Sequence, residues 1–436
     1  MVLFTVKNIF MIIQQIEENR ISVIYYVLTG IVVSCYFFPF EFTFLPRGVN
    51  TKIMLAVIGV LCGVINSIRK DKIEINKELV PAILLAILFS IIGFVSVDIN
   101  HTDDYTYASY ISSFSVWLFG AYATYKFIRY IHGYVDFRLI MNYLIAVCVI
   151  QCILALLIDN VLFVKTFVDN YISQATVADV KFLNEAKRLY GIGAAVDVAG
   201  TRFSIILIGL VAVMARVNAE GRGNTVVYWA AFVVIGVIGN MISRTTTIGM
   251  VLALVYLFLN SKLITSEISF NKLKFWRSIL IVSFLLILVT VFFYNTYGEI
   301  REQLRFGFEG FFNWVEEGEW KTDSTDKLNT EMWIWPDQND LKTWIIGRAV
   351  FADWHIIGTD IGYCRFIFYN GLLGLITFSL FFVYNAWACT RKFPAYTLFF
   401  IMLLGLSFII WLKVATDLFI IYALFYCLDN EEKINT

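Results

Sequence analysis

Charge is scarce in this sequence. Only 16% of the 436 residues are charged against 59% hydrophobic, and the mean hydropathy is +0.74. A soluble surface needs far more charge than this, which excludes a soluble globule and leaves a polytopic membrane protein. The 34 basic and 34 acidic residues cancel, so the chain lacks the basic field that draws nucleic acid. Paired cysteine spacing is missing as well. The seven cysteines fall mostly inside apolar runs, and Cys148 and Cys152, one helical turn apart, have no third ligand beside them, which argues against disulfides and zinc. No tandem repeat, low-complexity segment or soluble domain interrupts the chain. Nor do two halves carry broken helices at matching positions, the cue for an inverted-repeat transporter.

What the chain does have is apolar runs long enough for a bilayer core. They fall near 21–40, 53–68, 79–97, 109–128, 138–158, 199–215, 225–242, 246–263, 276–294, 363–387, 395–412 and 414–428. The expected fold is thus all-α, one integral membrane domain over 1–436 with about twelve transmembrane helices. The run at 1–20 is too short to span and has no small-residue cleavage site, so it reads as an interfacial helix. Lys413 alone separates the last two runs, which read equally as one bent hairpin.

Orientation follows from the short loops. Every even connection is basic: Arg69, Lys70, Lys72 and Lys77; Lys126, Arg129 and Arg138; Arg216 and Arg222; Lys262, Lys272, Lys274 and Arg277; Arg391 and Lys392. The third connection, by contrast, runs from Asp98 through His101 to Asp103 and Asp104 with no Lys or Arg. Both termini are expected in the cytoplasm, with a smaller loop at 159–198 and a large loop at 295–362 outside.

The large loop holds six of the eleven tryptophans (314, 320, 333, 335, 344 and 354). Such a concentration serves as an interfacial belt, as a platform on which sugar rings stack, or as both. Leu304, Phe308, Phe311, Phe312 and Val315 recur at helical spacing and predict one amphipathic helix over 300–315. Arg301 and Arg305 stand at i and i+4 on it, where two guanidinium groups can grip a diphosphate or pair with Glu302, Glu309 or lipid phosphate.

Further on, a polar stretch with Arg348, His355 and Asp360 runs directly into an apolar helix bearing Arg365. Ionisable groups at such a boundary cost free energy unless they pair or bind something. Arg244, at the turn between two spans, and Arg202, just inside another, raise the same question, with lipid snorkelling as the alternative.

Three short motifs carry a resemblance to a known family. Asp360-Ile-Gly-Tyr363 is followed by Gly371 and Gly374, Arg188-Leu-Tyr-Gly191 precedes a span, and Ser243-Arg244 lies at a turn between spans. Over roughly its last two thirds the chain resembles the superfamily of O-antigen polymerases (Wzy-type) and O-antigen ligases. The glycine frame matches the ligase pattern, but Asp360 and Ile361 stand where ligases have His and then Asn, Ser or Gln, so the stretch looks more like a polymerase.

That resemblance implies a GT-C-like membrane glycosyltransferase. It would join repeat units carried on undecaprenyl diphosphate at the periplasmic face of a bacterial inner membrane, without metal or cofactor. It further implies Asp360 as general base with Arg301 and Arg244 as catalytic partners, and Arg188, Arg305, Arg348, Arg202, His355 and Tyr363 as substrate-binding residues. His355 either replaces the ligase His or merely flanks the loop. The implied partners are the lipid-linked oligosaccharide, membrane lipid, a chain-length regulator and a flippase. Two rival functions stand beside this one: a ligase transferring glycan to lipid A core or protein, and a transporter or flippase of lipid-linked sugars.

Overall fold

Helices account for nearly all regular structure. A computed structural model describes residues 23–72, 76–173, 188–220, 225–260, 294–296 and 298–429, together with Arg277. In chain order the helices are α1 (Val23–Phe37), α2 (Thr51–Lys70), α3 (Leu79–Asn100), α4 (Tyr110–His132), α5 (Phe137–Asn160), α6 (Leu162–Tyr171), α7 (Val196–Glu220), α8 (Thr225–Ile242) and α9 (Thr246–Asn260). They continue as α10 (Gly298–Gly307), α11 (Glu309–Glu317), α12 (Asp323–Glu331), α13 (Leu341–Ile345), α14 (Trp354–Ile357), α15 (Gly362–Lys392), α16 (Thr397–Ile410) and α17 (Phe419–Cys427). Two short strands, β1 (Glu41–Phe42) and β2 (Ile172–Ser173), pair antiparallel with Glu41 opposite Ser173.

Six helices, α2, α3, α5, α7, α8 and α15, are long and apolar enough to cross a bilayer, and α1, α9 and α16 are shorter apolar helices. The chain is an all-α membrane protein, with six such helices among the described residues where the sequence predicts twelve spans. α4 has the length, 23 residues, but interleaves hydroxyl and basic side chains with its apolar ones. α17 has only nine residues. The predicted ninth span lies almost wholly outside the described residues, as does all of the predicted interfacial helix at 1–20.

The bundle closes around α7. Residues 201–215 are buried without interruption, and the helix packs on α5, α8, α9 and α16. Glycine lets two of these helices come close, since a Cβ on Gly249 of α9 would collide with Ser204 of α7. The periphery is different. Val57, Leu61, Val64 and Ile68 on α2 stay exposed, a surface suited to lipid.

Alternate connections meet at opposite ends of the bundle. At one end Arg129 of α4 pairs with Asp429 at 2.8 Å, and Lys392 donates to the carbonyls of Phe425, Tyr426 and Leu428. At the other, Lys413 reaches Asp197, Asn100 donates to Gly347 O, and Tyr363 N donates to Trp411 O. The second end gathers the connections 101–109, 243–245, 298–361 and 411–418, and the candidate site residues are drawn from it.

Helix α15 is broken at Gly371 (φ 63°, ψ −167°). The chain just after α13 fills the gap: Arg348 N donates to Phe368 O at 2.6 Å and Ala349 N to Tyr369 O at 3.1 Å. A Cβ on Gly371 or on Gly347 would collide with the facing backbone, so both must be glycine for the two segments to interlock. Ser96 of α3 adds a third bond, donating to Tyr369 O at 2.7 Å. The irregular backbone is thereby satisfied within protein, as a bilayer demands.

Candidate functional site

Arg188 precedes a loop that is pinned on both sides. Gln151 of α5, buried, accepts from Ile192 N at 2.9 Å and donates to Ile192 O at 3.0 Å. Gly193 (φ 68°) passes so close to Phe38 O that no side chain fits there. The loop then enters α7 through Val196 with φ 46°, a left-handed conformation that a β-branched residue adopts only under strain of about 1–3 kcal/mol. The next residue is Asp197.

Arg244 arrives from the α8–α9 turn. That turn lies against α7 because Gly200 leaves room for Ser243 and Thr245, and Ser204 donates to Thr245 O at 2.9 Å. The consequence is a cluster at the start of α7. Asp197 accepts from Thr245 Oγ1 at 2.6 Å and from Lys413 Nζ at 2.7 Å, and Lys413 also donates to Thr245 Oγ1 at 3.0 Å. Arg188 contributes a further positive charge in the field of Asp197.

Phe306 of α10 ties the two arginines together. The Arg244 guanidinium lies 4.3 Å and that of Arg188 5.2 Å from the centre of this one ring. Glu309 of α11 forms an ion pair with Arg244. Three cations (Arg188, Arg244 and Lys413) and two carboxylates (Asp197 and Glu309) thus crowd together where α7, α9, α10 and the 411–418 connection meet. Such a cluster can receive a multiply charged anion, because guanidinium groups hold phosphoryl oxygens through paired charge-assisted bonds.

No family model, curated protein or solved structure matches the chain. Among the described residues, no three His, Cys, Asp or Glu side chains gather as a metal-binding set.

The remaining candidates make contacts of their own. The predicted helix over 300–315 is broken at Phe308 into α10 and α11, and Phe311 and Val315 are exposed. Arg305 pairs with Glu316 and lies 5.9 Å from the Phe312 ring, whereas Arg301 lies 5.0 Å from the Tyr294 ring. Glu309, one of the acids expected beside those two arginines, is the partner of Arg244 instead.

Arg348 pairs with Asp340 at 2.8 Å, and hydrogen bonds from Thr343 and Arg348 hold the Asp340 carboxyl well below the usual range. The same loop is fastened through Asp104, which accepts from Phe351 N at 2.5 Å and Ala352 N at 2.6 Å. Burial opposes ionisation of Asp104, but those bonds and two from Thr106 outweigh it and lower its pKa.

Asp360 is half-buried and accepts from Trp354 Nε1 at 2.8 Å, with Arg365 in its electrostatic field. Arg365 itself stacks on Phe351 at 3.7 Å. His355 is exposed beside Trp354, and Tyr363 donates its hydroxyl to Phe408 O at 3.0 Å. Arg202, 8% exposed, lies inside the bundle against Phe37 and Phe38. Three of the tryptophans form a ladder: Trp335 is 5.6 Å from Trp333 and 6.1 Å from Trp344, nearly parallel to the latter.

Sequence reasoning missed Asp197, Thr245 and Phe306, read Lys413 only as a break between two runs, and gave Glu309 the wrong partners. A usable signal existed for two of them. Asp197 is a carboxylate in the first turn of an apolar span, and Lys413 is a lone cation between two apolar runs.

Proposed function

We propose that this chain is a membrane glycosyltransferase of the Wzy-polymerase kind, transferring a polyprenyl-diphosphate-linked glycan onto the next lipid-linked repeat unit. The observation that carries this reading is the convergence of Arg188 and Arg244 on Phe306, beside Lys413, at the end of the bundle where the long 298–361 segment lies. Departure of a diphosphate needs charge neutralised more than it needs covalent chemistry. Fixed guanidinium groups supply this in a low-dielectric site without reorganising. The strained Val196 fits the same purpose, since backbone strain concentrates where residues are held in position for a ligand.

Asp360 is the proposed base. Trp354 Nε1 holds one of its oxygens, which fixes the carboxylate so that the other can take a proton from an acceptor hydroxyl, a gain of about 10²–10⁴ in rate. The Trp333–Trp335–Trp344 ladder is proposed to bear the glycan by stacking. Arg301 and Arg305, exposed on α10, then act at the periphery on the lipid-side phosphate. In this scheme both termini are cytoplasmic, the large loop at 295–362 is external, and a bacterial inner membrane is the setting.

Purified protein incubated with a single lipid-linked repeat unit tests the activity. Products of two or more repeats on the carrier support the polymerase, and an unchanged single repeat opposes it. Impermeant thiol labelling of Asp337→Cys in a cysteine-free chain tests the orientation, because labelling only after lysis would put the site on the wrong side.

A further inference from the structure

Five polar side chains from five segments lie within electrostatic reach of one another. They are Tyr36 of α1, Lys52 of α2, Tyr110 of α4, Arg202 of α7 and Asp417 of the 411–418 connection. Arg202 is 8% exposed, and its Nη1 has no hydrogen-bond partner among the described residues. Its guanidinium rests near the rings of Phe38 and Phe37, 5.5 Å and 6.0 Å away. Lys52 Nζ stands 4.3 Å from the Trp117 ring. Lys52 feels both the repulsion of Arg202 and the attraction of Asp417, and Tyr36 lies in the fields of Arg202 and Asp417 together. The buried hydroxyl of Tyr110 faces Asp417 and interacts with its carboxylate.

Lys52 therefore has Asp417 as its counter-charge, whereas Arg202 forms no ion pair among the described residues and one of its guanidinium nitrogens is buried and unsatisfied. A charged donor left buried and unsatisfied costs more stability than a neutral one. A purely structural role does not explain that cost, since an apolar residue at position 202 would pack among Phe37, Phe38 and Cys148 without it. Lys52 and Asp417 are half-buried.

We infer that Arg202 and Lys52 form a binding site for a single anionic group, a carboxylate or a phosphoryl oxygen, separate from the Arg188/Arg244 cluster. The ligand accepts from Arg202 Nη1 and supplies the missing negative charge, while Asp417 balances Lys52 and repels any second anion. Such a group comes either from an acidic sugar or from a free inorganic anion. The inference stands whether or not the chain transfers glycans.

The test uses the full chain purified in detergent, carrying Arg244→Gln to silence the first cluster. Its thermal midpoint is followed at constant ionic strength against glucuronate, inorganic phosphate and neutral glucose. An anion-dependent rise that glucose does not reproduce is expected. Adding Arg202→Gln or Lys52→Gln weakens the apparent affinity at least tenfold. Two separate variants guard against one of them failing to fold. A stronger response to glucuronate assigns an acidic sugar, and one to phosphate assigns the free anion. No rise with either anion, or a rise unchanged by both added substitutions, would overturn the inference.

Discussion

Lys413 closes on Asp197 at 2.7 Å and so joins the connection between α16 and α17 to the first turn of α7. Both side chains retain about a third of their surface, 29% and 32%, so the pair is worth less than the ~3–5 kcal/mol lost when a fully buried pair is broken. Lys413→Met is expected to lower stability by about 2 kcal/mol, read from thermal unfolding in detergent. The exchange Asp197→Lys with Lys413→Asp is expected to recover part of that loss. If the exchange were as unstable as the single variant, the two residues would not be acting on each other.

Arg188 and Arg244 offer a test of geometry against charge. Replacing either with Lys keeps the positive charge but removes the planar fork and its stacking on Phe306. Repeat-unit joining is expected to fall at least tenfold, about 1.4 kcal/mol of transition-state stabilisation, with membrane abundance unchanged. Full activity in both Lys variants would leave these arginines with a role in anchoring alone.

Asp360→Asn separates catalysis from structure. Asn retains an oxygen for Trp354 Nε1 but cannot take a proton, so activity is expected to drop by about 10² or more while the thermal midpoint holds. A large loss of stability would instead make Asp360 the structural partner of Arg365. Asp360→His is the companion variant, and partial activity there would mean that the position demands a base of either kind.

Gly371→Ala is expected to cost more than about 3 kcal/mol, because the left-handed backbone at φ 63° is strained for Ala and its Cβ would strike Ile345 and Ile346. Gly374→Ala makes the comparison. There the clash is with the side chain of Asn370, one helical turn away, and not with a second segment.

Hydropathy made the helical architecture legible, because each span is a local run and needs no partner to be recognised. Arg244 and Arg202 were legible as candidates for the same reason, as cations out of place near apolar runs, and Arg188 through a short motif. The pairing was not legible. Lys413 and Asp197 are 216 residues apart, Arg244 and Glu309 are 65 apart, and no spacing rule connects them. The single helix expected over 300–315 failed at Phe308, where helical periodicity continues across a break it cannot detect. Gly371 was noticed as part of a motif. Its physical reason, the interlock with Gly347, involves a segment more than twenty residues upstream and appears only in three dimensions.

The most direct measurement of the proposed activity is the length distribution of lipid-linked saccharides in a strain lacking this chain. Accumulation of single repeat units on the polyprenyl carrier is expected, reversed by the wild-type chain and not by Asp360→Asn. Full-length chains left on the carrier would contradict polymerisation and point to a ligase, and an unchanged distribution would contradict both.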